Sequence, residues 1–151
     1  MAKLIIADTS CLIVLSKIGK IDLLKSLYQK ITITKEVKAE FGGKLPSWIK
    51  TSEVSDKQKQ LDLEKKLDKG EANSIALALE AKDSTLIIDE LKGRKIAHSL
   101  QINIIGTIGI VLLANKRGLP VDVIETILKI VNSGFRLSDK LLNQIIKKYS
   151  K

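Results

Sequence analysis

Short, unbroken apolar runs alternate along this chain with longer segments whose apolar residues recur every three to four positions, the pattern of an α/β protein. The first run, Leu4-Ile5-Ile6-Ala7, stops at Asp8-Thr9-Ser10. A run this short and this uniformly apolar predicts a strand buried on both faces, as in a parallel sheet. Further strands are predicted at 30–34, 50–54, 85–88 and 102–105. Helices are predicted at 10–17 and 21–28, separated by Gly19, and again up to Phe41 with Thr34 as the cap. Gly42-Gly43-Lys44-Leu45-Pro46 predicts a loop. Residues 56–68 predict a charged, solvent-facing helix, and 70–82 a second helix with Ala72, Ile75, Ala76 and Leu79 on one stripe. The remaining segments predict helices from Leu91 to about Leu100, at 107–116, at 120–131 with Pro120 in the first turn, and at 139–149 capped by Ser138. Strands alternating with helices imply crossovers and a mostly parallel central sheet with helices on both faces, a three-layer α/β/α fold. No repeat, low-complexity tract or linker interrupts the pattern, so residues 1–151 are expected to form a single domain.

Composition sharpens this. Hydrophobic residues make up 44% and aromatics 3%, so a sizeable core is built from aliphatic side chains. The single Cys11 rules out an internal disulfide and fits a reducing compartment. No apolar run reaches the roughly 18 residues of a membrane span, so a soluble cytoplasmic protein is expected. Lys and Arg number 26 against 17 Asp and Glu, a net charge of +9. A basic surface attracts polyanions, nucleic acid foremost, although Lys-rich surfaces also occur in thermophile proteins. Part of the excess is local: residues 116–151 hold eight basic side chains against three acids.

The candidate chemistry is acidic. Asp8 closes the first strand, and Ser84-Thr85-Leu86-Ile87-Ile88-Asp89-Glu90 repeats the arrangement. Ligands of open α/β sheets bind at the carboxyl ends of the strands, and adjacent carboxylates hold hard divalent cations. A plainer reading stands beside this one. Asp8 and Asp89 can each cap the following helix, Asp68-Lys69-Gly70-Glu71 has the spacing of a capping box, and Glu40 can be a solvated rim residue beside Val37 and Phe41. Elsewhere the chain offers less. His98 has no second His for zinc, Cys11 reads as a small buried hydrophobe, and Gly106-Thr107-Ile108-Gly109 lacks the rest of a dinucleotide motif. Gly106 and Gly109 read instead as sites of tight strand-to-helix packing, and Trp48 as a loop residue folded onto its own core. The amphipathic stretches 121–131 and 141–146 read as core or homodimer surface.

Several blocks occur in a fixed order: Asp-Thr-Ser after the first strand, Ile-Thr-Lys-Glu-Val-Lys-Ala-Glu, Lys-Gly-Glu-Ala-Asn-Ser-Ile-Ala-Leu-Ala, Leu-Ile-Ile-Asp-Glu-Leu-Lys-Gly-Arg, Ile-Ile-Gly-Thr-Ile-Gly and Gly-Phe-Arg-Leu-Ser-Asp. Together they resemble the PIN domain superfamily, in particular small prokaryotic members related to VapC-type toxin ribonucleases. The resemblance implies an α/β/α fold with an acidic pocket for Mg²⁺ or Mn²⁺. It also implies endonucleolytic cleavage of single-stranded or structured RNA, often by the toxin of a type II toxin–antitoxin pair. Its acids fall on Asp8, Glu40, Glu71 and Asp89, with Glu90 as a further metal ligand. Many PIN nucleases carry Asp where this chain has Glu71. Thr9 and Ser10 are expected to orient a ligand or water, and Arg94 to hold backbone phosphate. A small antitoxin and a second copy of the chain are the implied protein partners. The other function class is a non-catalytic PIN-like module that binds nucleic acid or protein.

Overall fold

The computed structural model of the protein describes residues 3–150. Five strands, β1 (Leu4–Ala7), β2 (Ile31–Thr34), β3 (Ile49–Ser52), β4 (Ser84–Ile87) and β5 (Asn103–Ile105), form one sheet in the order β3-β2-β1-β4-β5. Every neighbouring pair is parallel, with Leu4 opposite Ser84 and Ala7 opposite Ile87. Among the described residues nine helices surround it: α1 (Thr9–Lys17), α2 (Asp22–Tyr28), α3 (Lys35–Phe41), α4 (Lys57–Glu64), α5 (Lys69–Glu80), α6 (Leu91–Ser99), α7 (Thr107–Lys116), α8 (Val123–Asn132) and α9 (Asp139–Tyr149). None is long and apolar enough to cross a membrane.

The uniform apolarity of the strands follows from burial on two sides. Ile5, Ala7, Ile31, Ile33 and Ile87 face a cluster built with α1, α2 and α7, while Ile6, Leu86 and Ile88 face a second built with α4, α5 and α6. A third cluster joins Val111 of α7 to Ile127 and Ile130 of α8 and Ile145 of α9. This packs the chain's C-terminal helices against α7 as an extension of the first layer. Cys11 and Trp48 belong to the first cluster as expected, and Cys11 is fully enclosed.

The strand order positions the functional edge. The chain starts at the centre with β1, moves outward to β2 and β3, then returns through α4 and α5 to β4 on the other side of β1. Direction reverses between β1 and β4, and at such a switch point the following loops part and leave a crevice. The amide of Asp8 continues the ladder by donating to Ile87 O at 2.9 Å, so the end of β1 is held against β4.

Three expectations are corrected. The helix predicted at 56–68 ends at Glu64, because Asp68 accepts from the Glu71 amide and starts α5 instead. It is not wholly solvent-facing, since Leu63 is buried. The helix predicted from Pro120 begins at Val123, where Asp122 accepts from the Glu125 amide at 3.0 Å. A capping side chain satisfies an otherwise free N–H, and proline only tolerates the first turn without supplying that bond.

Because β1 is flanked and covered on all sides, truncating it leaves a void that neighbours cannot fill. Ile6→Ala, at a fully buried position, is expected to lower unfolding free energy by about 2–5 kcal/mol in urea denaturation. A loss under about 1 kcal/mol would contradict a close-packed second layer.

Candidate active site

At the carboxyl end of β1 and β4 lies a cleft of about 670 Å³ lined by six carboxylates, those of Asp8, Glu40, Asp68, Glu71, Asp89 and Glu90. Each arrives from a different local cause. Asp8 occupies the N-cap position of α1 in extended conformation, yet its side chain makes no cap to the helix amides beyond Thr9. It is 7% exposed. Glu40 lies near the end of α3, a helix started by the Thr34 hydroxyl and stopped by Gly42 in left-handed conformation. Asp68 caps α5 through the Glu71 amide at 2.9 Å. The Glu71 carboxylate does not return the bond to the Asp68 amide among the described residues, so only half of a capping box forms. Instead Glu71, 5% exposed, turns toward Gly93 and the cleft.

Three glycines make this crowding sterically feasible. A Cβ on Gly70 would fall 1.9 Å from Glu40 Oε1 and 3.2 Å from Asp8 Oδ1. One on Gly93 would stand 3.2 Å from Glu71 Oε2, and one on Gly106 2.9 Å from Asp89 Oδ1. Gly109 serves packing alone, with Ile105 Cγ1 2.7 Å from the place of its Cβ.

Asp89 does not cap the helix that follows it. Its Oδ1 accepts from the Thr107 amide at 2.7 Å, and its Oδ2 accepts from the Thr107 and Ser10 hydroxyls, the latter at 2.8 Å. It therefore binds the first turn of α7 to the first turn of α1. Ser10 is engaged in that network, whereas Thr9 Oγ1 is buried beside the acids with no fully formed hydrogen bond. Glu90 stands at the N-cap position of α6 without capping it.

Arg94 is placed differently from expectation. Its Nη1 donates to Ile88 O at 2.8 Å, and it does not line the cleft. The cations that do are Lys66, Lys92 and Arg136. Sequence reasoning passed over these and over Asp68 as a cleft residue. Asp68 had a sufficient role as a cap, and only folding brings Arg136 back to the end of β1. The block Gly-Phe-Arg-Leu-Ser-Asp was the one available signal. His98 is exposed on α6.

The crowding shows in the acidities. Burial pushes the Asp8 carboxyl up to about 7, helped by Asp68, Glu40 and Asp89 and opposed by the Thr9 amide. Burial also raises Glu71, to about 8, with Asp68 contributing through charge and a shared hydrogen bond and Asp8 and Glu90 adding to the effect. Glu40 is raised by burial and by Asp68, with the Thr9 hydroxyl acting weakly the other way. Among the described residues no three His, Cys, Asp or Glu side chains stand close enough to form a metal ligand set. Carboxylates that repel one another stay apart unless positive charge gathers them. Their chemistry nonetheless fits a hard divalent cation: oxygen donors on several elements, and a glycine cradle that admits two of them against the α5 backbone.

Comparison with known proteins agrees with this geometry. A family described as a PIN domain matches residues 4–151. The chain belongs to the PIN domain family. No curated protein and no solved structure gives a significant match. PIN domains are generally metal-dependent nucleases, and the five-stranded parallel sheet with helices on both faces is the PIN-like three-layer fold. The chain is a nuclease-type module of that family, a class that acts on nucleic acid.

The raised acids have a consequence for folding without metal. Asp8 and Glu71 bind protons in the folded state that the unfolded chain has released above pH 3.8 and 4.5. Their favourable contribution is complete below those values and is lost as pH rises through about 7 and about 8. Thermal midpoints in chelator should therefore fall from about pH 5 to about pH 8, and the fall should be shallower in Asp8→Asn. A wild-type midpoint that rises over that window, or equal slopes in both proteins, would contradict a buried, crowded Asp8.

Proposed function

We propose that this chain is a metal-dependent endoribonuclease of PIN type, the toxin of a type II toxin–antitoxin pair, acting on single-stranded or structured RNA in the cytoplasm. The observation that carries the reading is the convergence of Asp8, Glu40 and Glu71, from three separate elements, on one cleft around Gly70. The net charge of +9 supports a polyanionic substrate. A small antitoxin protein and a second copy of the chain are the proposed protein partners.

Phosphodiester hydrolysis requires a water nucleophile and relief of negative charge on the phosphate. A bound Mg²⁺ or Mn²⁺ supplies both a more acidic water and a Lewis acid for the phosphate oxygens. Asp8, Glu40 and Glu71 are the residues that would hold it, with Glu90 free to join. Asp8 is the best-placed donor, because the end of β1 is fixed by the ladder to Ile87. Asp89, with both oxygens engaged by Thr107 and Ser10, keeps the α1 and α7 termini in place around the cleft. Thr9 Oγ1 is available to orient water or a phosphate oxygen. Lys66, Lys92 and Arg136 face the cleft among the carboxylates and suit the flanking phosphates of a bound strand. The engagement of Asp89 favours a second reading, a non-catalytic PIN-like module that binds nucleic acid or a protein partner.

Asp8→Asn separates the two. It keeps shape and removes the charge, so RNA cleavage with Mn²⁺ should fall by about 100-fold or more while fold and RNA binding persist. Cleavage by the variant at the wild-type rate would show the activity to be a contaminant or Asp8 to be dispensable.

Gly70→Ala tests the cradle without activity. The new methyl displaces the flexible end of Glu40 and replaces a helical glycine, so metal-free stability should stay level or rise by about 0.5–1 kcal/mol. The Mn²⁺-induced gain in thermal midpoint should shrink, and calorimetry should show weaker Mn²⁺ binding. Unchanged Mn²⁺ affinity would remove Glu40 from the ligand set.

A further inference from the structure

The apolar part of the cleft lining has no role in the acid chemistry. Ile13 of α1, Leu67 and Phe135 line it together with the carboxylates, and Ile13 is 39% exposed. Among the described residues Phe135 is the only aromatic side chain lining the cleft; Tyr28, Phe41 and Trp48 pack on the first cluster, and Tyr149 on the third. The chain holds Phe135 firmly. Ser133 closes α8 by donating its amide to Lys129 O and Ile130 O, Gly134 turns with φ of 105°, and Ser138 caps α9. Between these anchors exposure alternates: Phe135 and Leu137 rest on the third cluster while Arg136 and Ser138 are exposed. Phe135 is only partly covered there and so also reaches the cleft. Arg136, beside it, forms no ion pair among the described residues, and neither do Lys66 and Lys92.

We propose that Phe135 is the stacking platform for one unpaired base of the RNA, the base next to the phosphate that the carboxylates address. This rests on the ribonuclease reading above and specifies which part of the substrate that cleft selects. A nucleic-acid strand alternates a flat, neutral base with an anionic phosphate. The cleft matches both, with a flat apolar surface on Phe135 and an uncommitted cation on the adjacent residue Arg136. An apolar peptide side chain would use the apolar lining but leave three cations unanswered, so the charge pattern favours RNA. A base within a duplex keeps its faces on its neighbours and cannot lie on the ring, so Phe135 would select single-stranded or looped sites. A single platform reads the presence of a base more than its identity, because every base has a stacking face.

The test is equilibrium binding, by fluorescence anisotropy, of a 2′-O-methyl RNA oligonucleotide in Mg²⁺, with its integrity checked on a gel. A companion series carries one abasic nucleotide at each position in turn. Wild type should lose about 10-fold in affinity for one abasic register. Phe135→Leu, which preserves the packing on the third cluster, should bind the intact oligonucleotide about 10-fold more weakly and be indifferent to that abasic site. Phe135→Trp should retain the wild-type pattern, and serves if the leucine variant fails to fold. Equal affinity of Phe135→Leu and wild type would overturn the proposal and leave the apolar lining to a protein partner. So would equal losses at every abasic position in both proteins. Failure of wild type to bind any RNA would instead sink the ribonuclease reading itself, whereas binding with no base dependence would remove only the platform.

Discussion

Carboxylates gathered in a partly dry crevice repel one another, and the architecture around the end of β1 exists to hold them there. At an effective dielectric near 20, two like charges about 4 Å apart oppose each other by roughly 4 kcal/mol, which is why no three of these side chains close into a ligand set among the described residues. The chain meets this in two ways. Asp8 and Glu71 keep their protons to higher pH than ordinary carboxyls, to about 7 and about 8, through burial first and neighbouring acids next. Asp89 is instead enclosed by donors, two from Thr107 and one from Ser10. The three glycines then remove the atoms that would stand where carboxylate oxygens lie. A site this crowded is under tension when empty of cations. That tension would turn metal binding into stabilisation of the fold, because a cation bound only by the folded form shifts the equilibrium toward it.

The two kinds of acid differ in what they can do. Asp89 lies at a strand end like Asp8, yet its oxygens are directed into the helix termini on either side. Charge-assisted hydrogen bonds of that sort contribute about 1.5–3 kcal/mol each, enough to make Asp89 a fixed post. Glu40 and Glu71 lack such a set of donors, and both carboxyls are held above their ordinary acidity range, by burial first and by Asp68 next. Asp89 thereby belongs to the rigid frame around the cleft, and the proposed ligands Asp8, Glu40 and Glu71 are set within that frame.

Much of this was readable from residues alone, and the boundary is physical. Asp8 and Asp89 were legible as strand ends, because two-sided burial makes the strands uniformly apolar and the acids stop them abruptly. The three-layer arrangement followed from the same alternation. Local signals failed where two of them competed: Pro120 and Asp122 both mark a helix start, and the residue that supplies a hydrogen bond prevailed. Arg94 shows a different failure. It is the closest arginine to Asp89 in sequence, but the geometry of α6 turns its guanidinium back onto Ile88 O. Phe135 and Arg136 were hidden because more than a hundred residues separate them from Asp8, and no periodicity encodes where the α8–α9 connection will lie.

The remaining paradox is one of sign. A protein of net charge +9 presents its acids at the place where a phosphate would have to sit. Long-range attraction and short-range repulsion can coexist because they act over different distances. At physiological ionic strength the screening length is about 8 Å, so an approaching polyanion feels the summed basic surface before it feels the cleft. Once it arrives, the carboxylates dominate unless cations reverse the local field. Lys66, Lys92 and Arg136 soften that barrier at three points of the cleft, yet they are outnumbered there by the six acids. The balance makes productive contact conditional. A strand drawn to the surface by charge would enter the cleft only where positive charge inside it is sufficient. On the proposed ribonuclease reading, the repulsion would itself act as a gate, holding nucleic acid off the carboxylates until a cation is in place.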